Sequence, residues 1–105
     1  MEIANTPSPP YFAVIFTSVK KKDDGGYEEM AELMVNLVKR QPGFLGFESV
    51  RDGLGITISY WQDFVSIQRW KEQVDHRLAQ KLGKERWYEG YKVRICKVER
   101  EYEHP

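Results

Sequence analysis

His76 is the single histidine in the part of the chain that is patterned to fold, and it lies in a stretch of helical periodicity. An imidazole titrates near neutral pH, so His76 is a candidate general base. The alternative is that His76, between Asp75 and Arg77, is an exposed residue on a charged helix face. Glu72 lies one helical turn earlier on the same face, but no third ligand follows, so we predict no metal site.

The run Arg86-Trp87-Tyr88 places a basic residue beside two aromatic residues just before the last predicted strand. An arginine next to aromatic rings could hold an anionic ring by charge and by stacking. Alternatively, Trp87 and Tyr88 plug the junction between helix and strand while Arg86 stays in water. The sequence leaves these two interpretations open.

Charge composition argues against nucleic-acid binding. The chain has 105 residues, with 16 basic and 16 acidic side chains and a formal net charge of zero. A nucleic-acid-binding domain is expected to be basic, so we predict no nucleic-acid partner. The aromatic run Gly43–Val50 is similar to an RNA-binding strand, but it follows the first predicted helix instead of forming the third strand. RNA binding therefore stays a minor alternative.

The cysteine count and the hydropathy pattern bear on the cellular compartment. Cys96 is the lone cysteine, so no internal disulfide can form, and we expect it to be a small core residue of a strand. There is neither an apolar leader before a small-residue cleavage site nor an apolar run as long as a membrane span. We therefore expect a cytoplasmic protein with no membrane partner.

The hydrophobic pattern predicts six elements in one domain at residues 11–105, after an extended, proline-rich arm at residues 1–10. Strands are predicted at Tyr11–Val19, Phe44–Arg51, Ile56–Trp61 and Tyr91–Tyr102, and helices at Tyr27–Arg40 and Asp63–Leu82, with Asp63 as an N-cap. A slip of the apolar phase between Ile95 and Val98 predicts a β-bulge near Cys96. The order β-α-β-β-α-β is that of the ferredoxin-like α+β fold with a four-stranded antiparallel sheet.

The predicted strands carry apolar side chains on both faces. In Tyr11–Phe16 both alternations are apolar, and Ile58 and Tyr60 oppose Trp61 in the third strand. Two helices can cover one face only. Leaving the other in water would forfeit several kcal/mol, at about 25 cal/mol per Å² of apolar surface. We therefore predict a homodimer in which a two-fold axis brings a second sheet onto this face.

Three segments together resemble the antibiotic-biosynthesis-monooxygenase family: QPGFLGFES (Gln41–Ser49), DFVSIQRWKEQVDH (Asp63–His76) and GKERWYEGYKVRICKVER (Gly83–Arg100). The resemblance extends over nearly all of residues 11–102. Within that family, the chain is most similar to the small bacterial branch. The resemblance implies a dimeric α+β barrel with a pocket in each subunit between the sheet and the helices. It also implies activities such as cofactor-independent oxidation of phenols by O₂ or oxidative opening of haem.

The resemblance implies roles for individual residues. Trp70 matches the family's helix tryptophan over the pocket, although it also lies on the apolar stripe of its helix and can be core. Haem-degrading members use an asparagine of the first strand and a histidine ten residues after that tryptophan. Here the second position is Gln80, His76 falls one helical turn short of it, and Tyr11–Val19 contains no asparagine. We therefore predict no haem chemistry.

The resulting hypothesis is a cofactor-independent monooxygenase that acts on a small aromatic, phenolic substrate. The substrate itself would supply electrons to O₂, and His76 would take the proton of the phenol. The residues expected to bind the substrate are Trp70, Arg86, Trp87, Trp61 and Phe16. The alternative is a non-catalytic dimeric module of the same fold that binds a small ligand, because one fold hosts many functions. No cofactor is predicted in either case.

Overall fold

The computed structural model describes residues 2–22, 25–80 and 87–104. The strands are β1 (Tyr11–Lys20), β2 (Phe44–Asp52), β3 (Leu54–Trp61) and β4 (Tyr88–Val98), and the helices are α1 (Tyr27–Val38) and α2 (Phe64–Gln80). All strand pairs are antiparallel, in the order β2-β3-β1-β4. This confirms the predicted ferredoxin-like β-α-β-β-α-β fold. Residues 2–10 contain neither helix nor strand, and neither helix of the described residues is long and apolar enough to cross a membrane.

The two helices end and begin close to where the sequence predicts. α1 ends at Val38, two residues before the predicted end at Arg40, and Gly43 in the following turn has a positive φ of 84°. The predicted N-cap of α2 is confirmed, because the Ser66 amide donates to the Asp63 carboxylate at 2.8 Å. Gly43 also lies directly against Ser66: a Cβ at Gly43 would come within 2.1 Å of the Ser66 hydroxyl oxygen. The turn before β2 and the first turn of α2 therefore lie in direct contact.

The predicted bulge near Cys96 is wrong. β4 pairs with β1 in continuous register from Val98 opposite Tyr11 to Gly90 opposite Val19, and the irregularity lies beyond, at Glu89. Ile95 lies on one face of this edge strand and Val98 lies on the other. Because both faces carry an apolar residue, the spacing of the two resembles the irregular spacing that a bulge produces. The strand also begins at Tyr88 and ends at Val98, earlier than predicted at both ends.

The two helices cover one face of the sheet, which we call the helix-facing side. Trp61 of β3 is completely buried there, together with Val38 of α1 and Ile67 of α2. Directly opposite Trp61 in the sheet lies Phe12, which packs against the same cluster. Ile58 and Tyr60 lie on the other face of β3, as predicted.

The opposite side of the sheet, which we call the outer face, has no helix on it. Val19, Val50 and Leu54 are 41%, 58% and 50% exposed on this face. Cys96 is also exposed there, so the prediction that it is a core residue is wrong for the single chain. Lys92 and Arg94 place charge on the β4 part of the face, so its exposed large apolar side chains belong to β1, β2 and β3.

Candidate functional site

The middle of the helix-facing side of the sheet is a patch of apolar and hydroxyl side chains, which we call the floor. The registers of the four strands put eight residues on it: Val14, Phe16, Phe47, Ser49, Thr57, Ser59, Val93 and Ile95. Ser49 and Thr57 lie opposite each other with their hydroxyl oxygens 2.8 Å apart, in an exposed contact. Val93 and Ile95 are 45% and 50% exposed. The helices therefore leave this part of the sheet open, with an apolar surface and a few convergent hydroxyl groups.

One end of the floor is closed by tryptophans. The Trp70 ring of α2 stacks on Trp61 with ring centroids 6.3 Å apart and an interplanar angle of 30°. The Trp61 indole N–H donates to the Ser59 hydroxyl at 2.8 Å, so the tryptophan pair is hydrogen-bonded to a residue of the floor. Trp70 is only half-buried, whereas Trp61 is fully buried. A flat ring resting on the floor at this end would meet Trp70 before Trp61.

The other end of the floor is a cluster of aromatic residues and one arginine. Tyr88 makes edge-to-face contacts with Phe16, at 5.4 Å between ring centroids, and with Tyr27, at 5.8 Å. The Arg51 side chain crosses the sheet over Gly55 and donates to the Ser18 hydroxyl at 2.6 Å. It also makes a long contact of 3.5 Å with the Tyr27 hydroxyl. This end thus combines rings with a fixed positive charge.

Burial changes the acidity of this cluster. Desolvation, followed by the hydrogen bond with Tyr27, raises the pKa of Tyr88 well above its usual value, and the charge of Arg51 opposes the rise only in part. Tyr88 consequently keeps its proton over the whole neutral range. It is a neutral hydrogen-bonding group and not a base.

The predicted base, His76, lies on an exposed part of α2. It follows Val74, which packs against the Met30–Trp87 cluster, by two positions, and two residues turn a helix by about 200°. His76 therefore points away from the helix surface that packs inward, and the structure does not bring it together with the floor. Its role as a base stays a prediction.

The other predicted ligand-binding residues divide into two groups. Trp61, Trp70 and Phe16 lie on the helix-facing side and belong to the floor or its tryptophan end. Trp87 is only 4% exposed, packs against Met30, and donates its indole N–H to the Gly25 carbonyl at 3.1 Å, as expected of a plug between the loop before α1 and β4. Arg86 lies outside the described residues, as does the predicted end of the second helix at Leu82.

Metal ligands are not clustered in the part of the chain that the structure describes: no three His, Cys, Asp or Glu side chains come together there. The Gln80 side chain, which occupies the position of the haem-ligating histidine, is outside the described residues. On the exposed side of α2, Lys71 pairs with Asp75 at 2.7 Å, so this stretch of the helix carries surface charge.

A concavity lies on the outer face, between the arm and strands β2 and β3. Its lining is mostly aliphatic, with Ile3, Val50, Ile56 and Ile58. Glu48 accepts hydrogen bonds there from the Ala4 amide at 2.9 Å and from the Tyr60 hydroxyl at 2.6 Å, and so fixes the arm to the sheet. Because its main polar group is already engaged in these bonds, this groove is a poorer ligand site than the floor.

Sequence reasoning missed Arg51 and the hydroxyl groups of the floor. The signal was present in the hairpin: with Gly53 at the turn, Arg51 must face Gly55, and a glycine opposite an arginine leaves room for the side chain to lie flat on the sheet. The alternation of Thr57 and Ser59 with isoleucine and tyrosine also put hydroxyl groups on the face of Trp61.

Comparison with known proteins gives one close relative and several structural neighbours. The chain is 52% identical over 101 residues to the uncharacterized protein YqjZ of Bacillus subtilis, covering 94% of this chain and 89% of YqjZ. No protein-family profile matches the chain.

Among solved structures, SnoaB, a cofactor-independent oxygenase from Streptomyces nogalater, has a TM-score of 0.72 at 13% identity, covering 89% of this chain and 97% of SnoaB. A provisionally named antibiotic biosynthesis monooxygenase from Nitrosomonas europaea has a TM-score of 0.64 at 18% identity, covering 88% and 92%. PA3566 from Pseudomonas aeruginosa has a TM-score of 0.66 at 19% identity, covering 91% and 99%. These neighbours confirm the fold expected from the family resemblance.

Proposed function

The chain belongs to the family of Bacillus subtilis YqjZ and has the antibiotic-biosynthesis-monooxygenase-like fold, and on that basis we propose that it is a cofactor-independent oxygenase of a small phenolic substrate. The observation that carries the proposal is the open floor on the helix-facing side. Flat apolar rings fit a surface of this kind, and its few hydroxyl groups are suited to orienting a ring oxygen.

The proposed reaction balances without an external reductant. An ionised phenol gives one electron to O₂, and the resulting pair combines at an electron-rich ring carbon to form a hydroperoxide. Loss of water then leaves a quinone. Overall, a phenol and O₂ yield a quinone and water, so both the oxygen atom and the electrons are accounted for by the two reactants.

The protein would contribute binding, orientation and exclusion of water. In this proposal Trp70 covers the ring from α2, Phe16 supports it from the floor, and Trp61 holds Trp70 in place by stacking. Arg86 and Trp87, which precede β4 in the sequence, would bind the substrate, and His76 would accept the phenolic proton. The support for each role differs, since Trp70 and Phe16 lie beside the floor whereas His76 lies on the exposed side of α2.

The test uses 1,5-dihydroxynaphthalene, an electron-rich phenol whose product, 5-hydroxy-1,4-naphthoquinone, is coloured. We expect the purified protein, in the presence of a metal chelator, to consume O₂ and form this quinone in equal amounts with saturable kinetics. Trp70→Ala should raise KM about tenfold or more, because a stacked aromatic contact and its buried area are lost. O₂ uptake no faster than in buffer would contradict the proposal.

Two variants separate the roles of individual residues. If His76 accepts the proton, His76→Ala should lower kcat about a hundredfold, whereas an unchanged kcat would remove it from the mechanism. Gln68→Ala, on the exposed side of the same helix, is the matched control and should leave both constants unchanged. If the naphthol binds at the floor without O₂ uptake, the protein is the non-catalytic ligand-binding module instead.

A further inference from the structure

We propose that Arg51 binds the ionised oxygen of the substrate, so that the site takes a phenol as its phenolate. This inference rests on the proposed function in one respect, because it assumes that the ring of the substrate lies on the floor. It adds a specific residue and a charge state that neither the fold nor the relatives assign.

The Arg51 side chain is fixed in place by the sheet beneath it. Gly55 lies directly opposite Arg51, and a Cβ at Gly55 would come within 2.3 Å of the guanidinium carbon. Glycine therefore allows the guanidinium to lie flat across β3. On the far side, the Ser18 hydroxyl accepts a hydrogen bond of 2.6 Å and the Ser18 carbonyl accepts one of 3.4 Å. A guanidinium that lies flat on Gly55 and is hydrogen-bonded to Ser18 is preorganised for binding.

The charge of Arg51 is not neutralised by the residues that the structure describes. Its contacts there are the hydroxyl and carbonyl of Ser18 and the hydroxyl of Tyr27, and none is a carboxylate. The five N–H donors of an arginine exceed the three contacts seen. A half-buried cation with spare donors favours an anion.

The neighbouring side chains indicate which anion fits. Phe16 lies on the floor two residues along β1 from Ser18, and Ser49 lies two residues before Arg51 on the same face of β2, about 7 Å away. A ring supported by Phe16 would thus direct one oxygen toward the guanidinium while its edge met the Ser49 and Thr57 hydroxyls. The geometry fits an aromatic ring that carries an anionic oxygen.

The chemistry of the proposed reaction gives this contact a purpose. Only the ionised phenol donates an electron to O₂ readily, and a positive charge held at the oxygen favours the ionised form. Arg51 would thereby promote loss of the proton without itself being a base. This role does not require His76.

The experiment measures the ionisation of a bound phenol by absorbance, with 4-nitrophenol as the probe because its phenolate is yellow. With saturating protein, we expect the apparent pKa of the bound phenol to lie below that of the free phenol. Arg51→Gln should weaken binding of the phenolate about tenfold or more, the usual effect of a charge-assisted hydrogen bond, and bring the bound pKa to the free value or above it.

Three controls isolate the charge at this position. Arg94→Gln makes the same substitution on the outer face of β4, where Arg94 is exposed, and should leave the bound pKa unchanged. Binding of 4-nitroanisole, which cannot ionise, should be the same in wild type and Arg51→Gln. Gly55→Ala keeps the arginine but displaces it from the sheet, and should weaken phenolate binding as Arg51→Gln does.

The outcomes separate this inference from the proposed function. Equal phenolate affinity in wild type and Arg51→Gln, or no binding of the phenolate to wild type, would overturn the inference even if 1,5-dihydroxynaphthalene is oxidised. Conversely, Arg51-dependent binding of 4-nitrophenolate without O₂ uptake by any phenol would support the inference and contradict the oxygenase proposal.

Discussion

At the scale of single residues, glycine decides where close contacts can form. Gly43 and Gly53 both have positive φ, at 84° and 76°, but their surroundings differ. A Cβ at Gly43 would meet Ser66 at the start of α2, whereas nothing lies within 4 Å of a Cβ at Gly53. The two positions therefore separate the cost of backbone conformation from the cost of a steric clash.

We predict that Gly53→Ala lowers the free energy of unfolding by about 1 kcal/mol, because only the left-handed backbone conformation opposes the substitution. Gly43→Ala should lower it by about a further 1–3 kcal/mol, because the new Cβ must displace Ser66 and with it the first turn of α2. Urea unfolding followed by circular dichroism measures both values. Equal losses at the two glycines would show that α2 does not begin against Gly43.

At the scale of the elements, the start of α2 links its stability to pH. The hydrogen bonds from the Ser66 side chain and amide lower the pKa of Asp63 below its usual 3.8. An acid whose folded pKa is lowered stabilises the fold at pH values above its unfolded pKa, and this stabilisation is lost as the pH falls through the folded pKa. The Asp63 cap should therefore contribute at neutral pH and fail in acid.

We predict that the advantage of wild type over Asp63→Ala, measured as the difference in their free energies of unfolding, shrinks as the pH drops below 3.8. Asp63→Asn keeps an oxygen that can cap the helix but cannot titrate, so it serves as the control. Its advantage over Asp63→Ala should not change with pH. A constant difference between Asp63 and Asp63→Ala across this range would contradict the capping role.

The elements were largely predictable from the sequence, and the errors have physical causes. Hydrophobic periodicity located the six elements, and Asp63 located the start of α2, because these signals are local. The end of β4 and its supposed bulge were misplaced because an edge strand with one polar face shows a mixed pattern. Arg51 was missed because its role depends on the cross-strand pairing with Gly55, which a linear pattern does not show.

At the scale of the whole molecule, the outer face is an apolar surface that no helix covers. The arm covers only part of it, through the contact of Ala4 with Glu48, while Val19, Val50 and Leu54 stay exposed. We infer that a second copy covers this face, since a two-fold axis presents the same apolar strands to each other. The site on the helix-facing side would then lie on the outside of the two packed sheets.

We predict that the wild-type protein sediments at twice the 12.4 kDa mass of the chain at micromolar concentration. Val50→Glu should shift it to the monomer, because a carboxylate would be buried in the interface. Val65→Glu is the matched control: Val65 is 58% exposed, as Val50 is, but it lies on α2 and should not affect the dimer. A wild-type monomer, or equal behaviour of the two variants, would contradict the dimer.

The most direct test of the central claim, that the helix-facing side of the sheet is the ligand site, is methyl NMR of the protein with 1,5-dihydroxynaphthalene in the absence of O₂. The sheet offers an internal control, because Val93 and Ile95 lie on the helix-facing side while Ile15 and Ile58 lie on the outer face. We predict saturable shifts of the Val14, Val93 and Ile95 methyl signals and little change at Ile15 and Ile58. Shifts at Ile15 and Ile58 alone, or no shifts at all, would contradict the account.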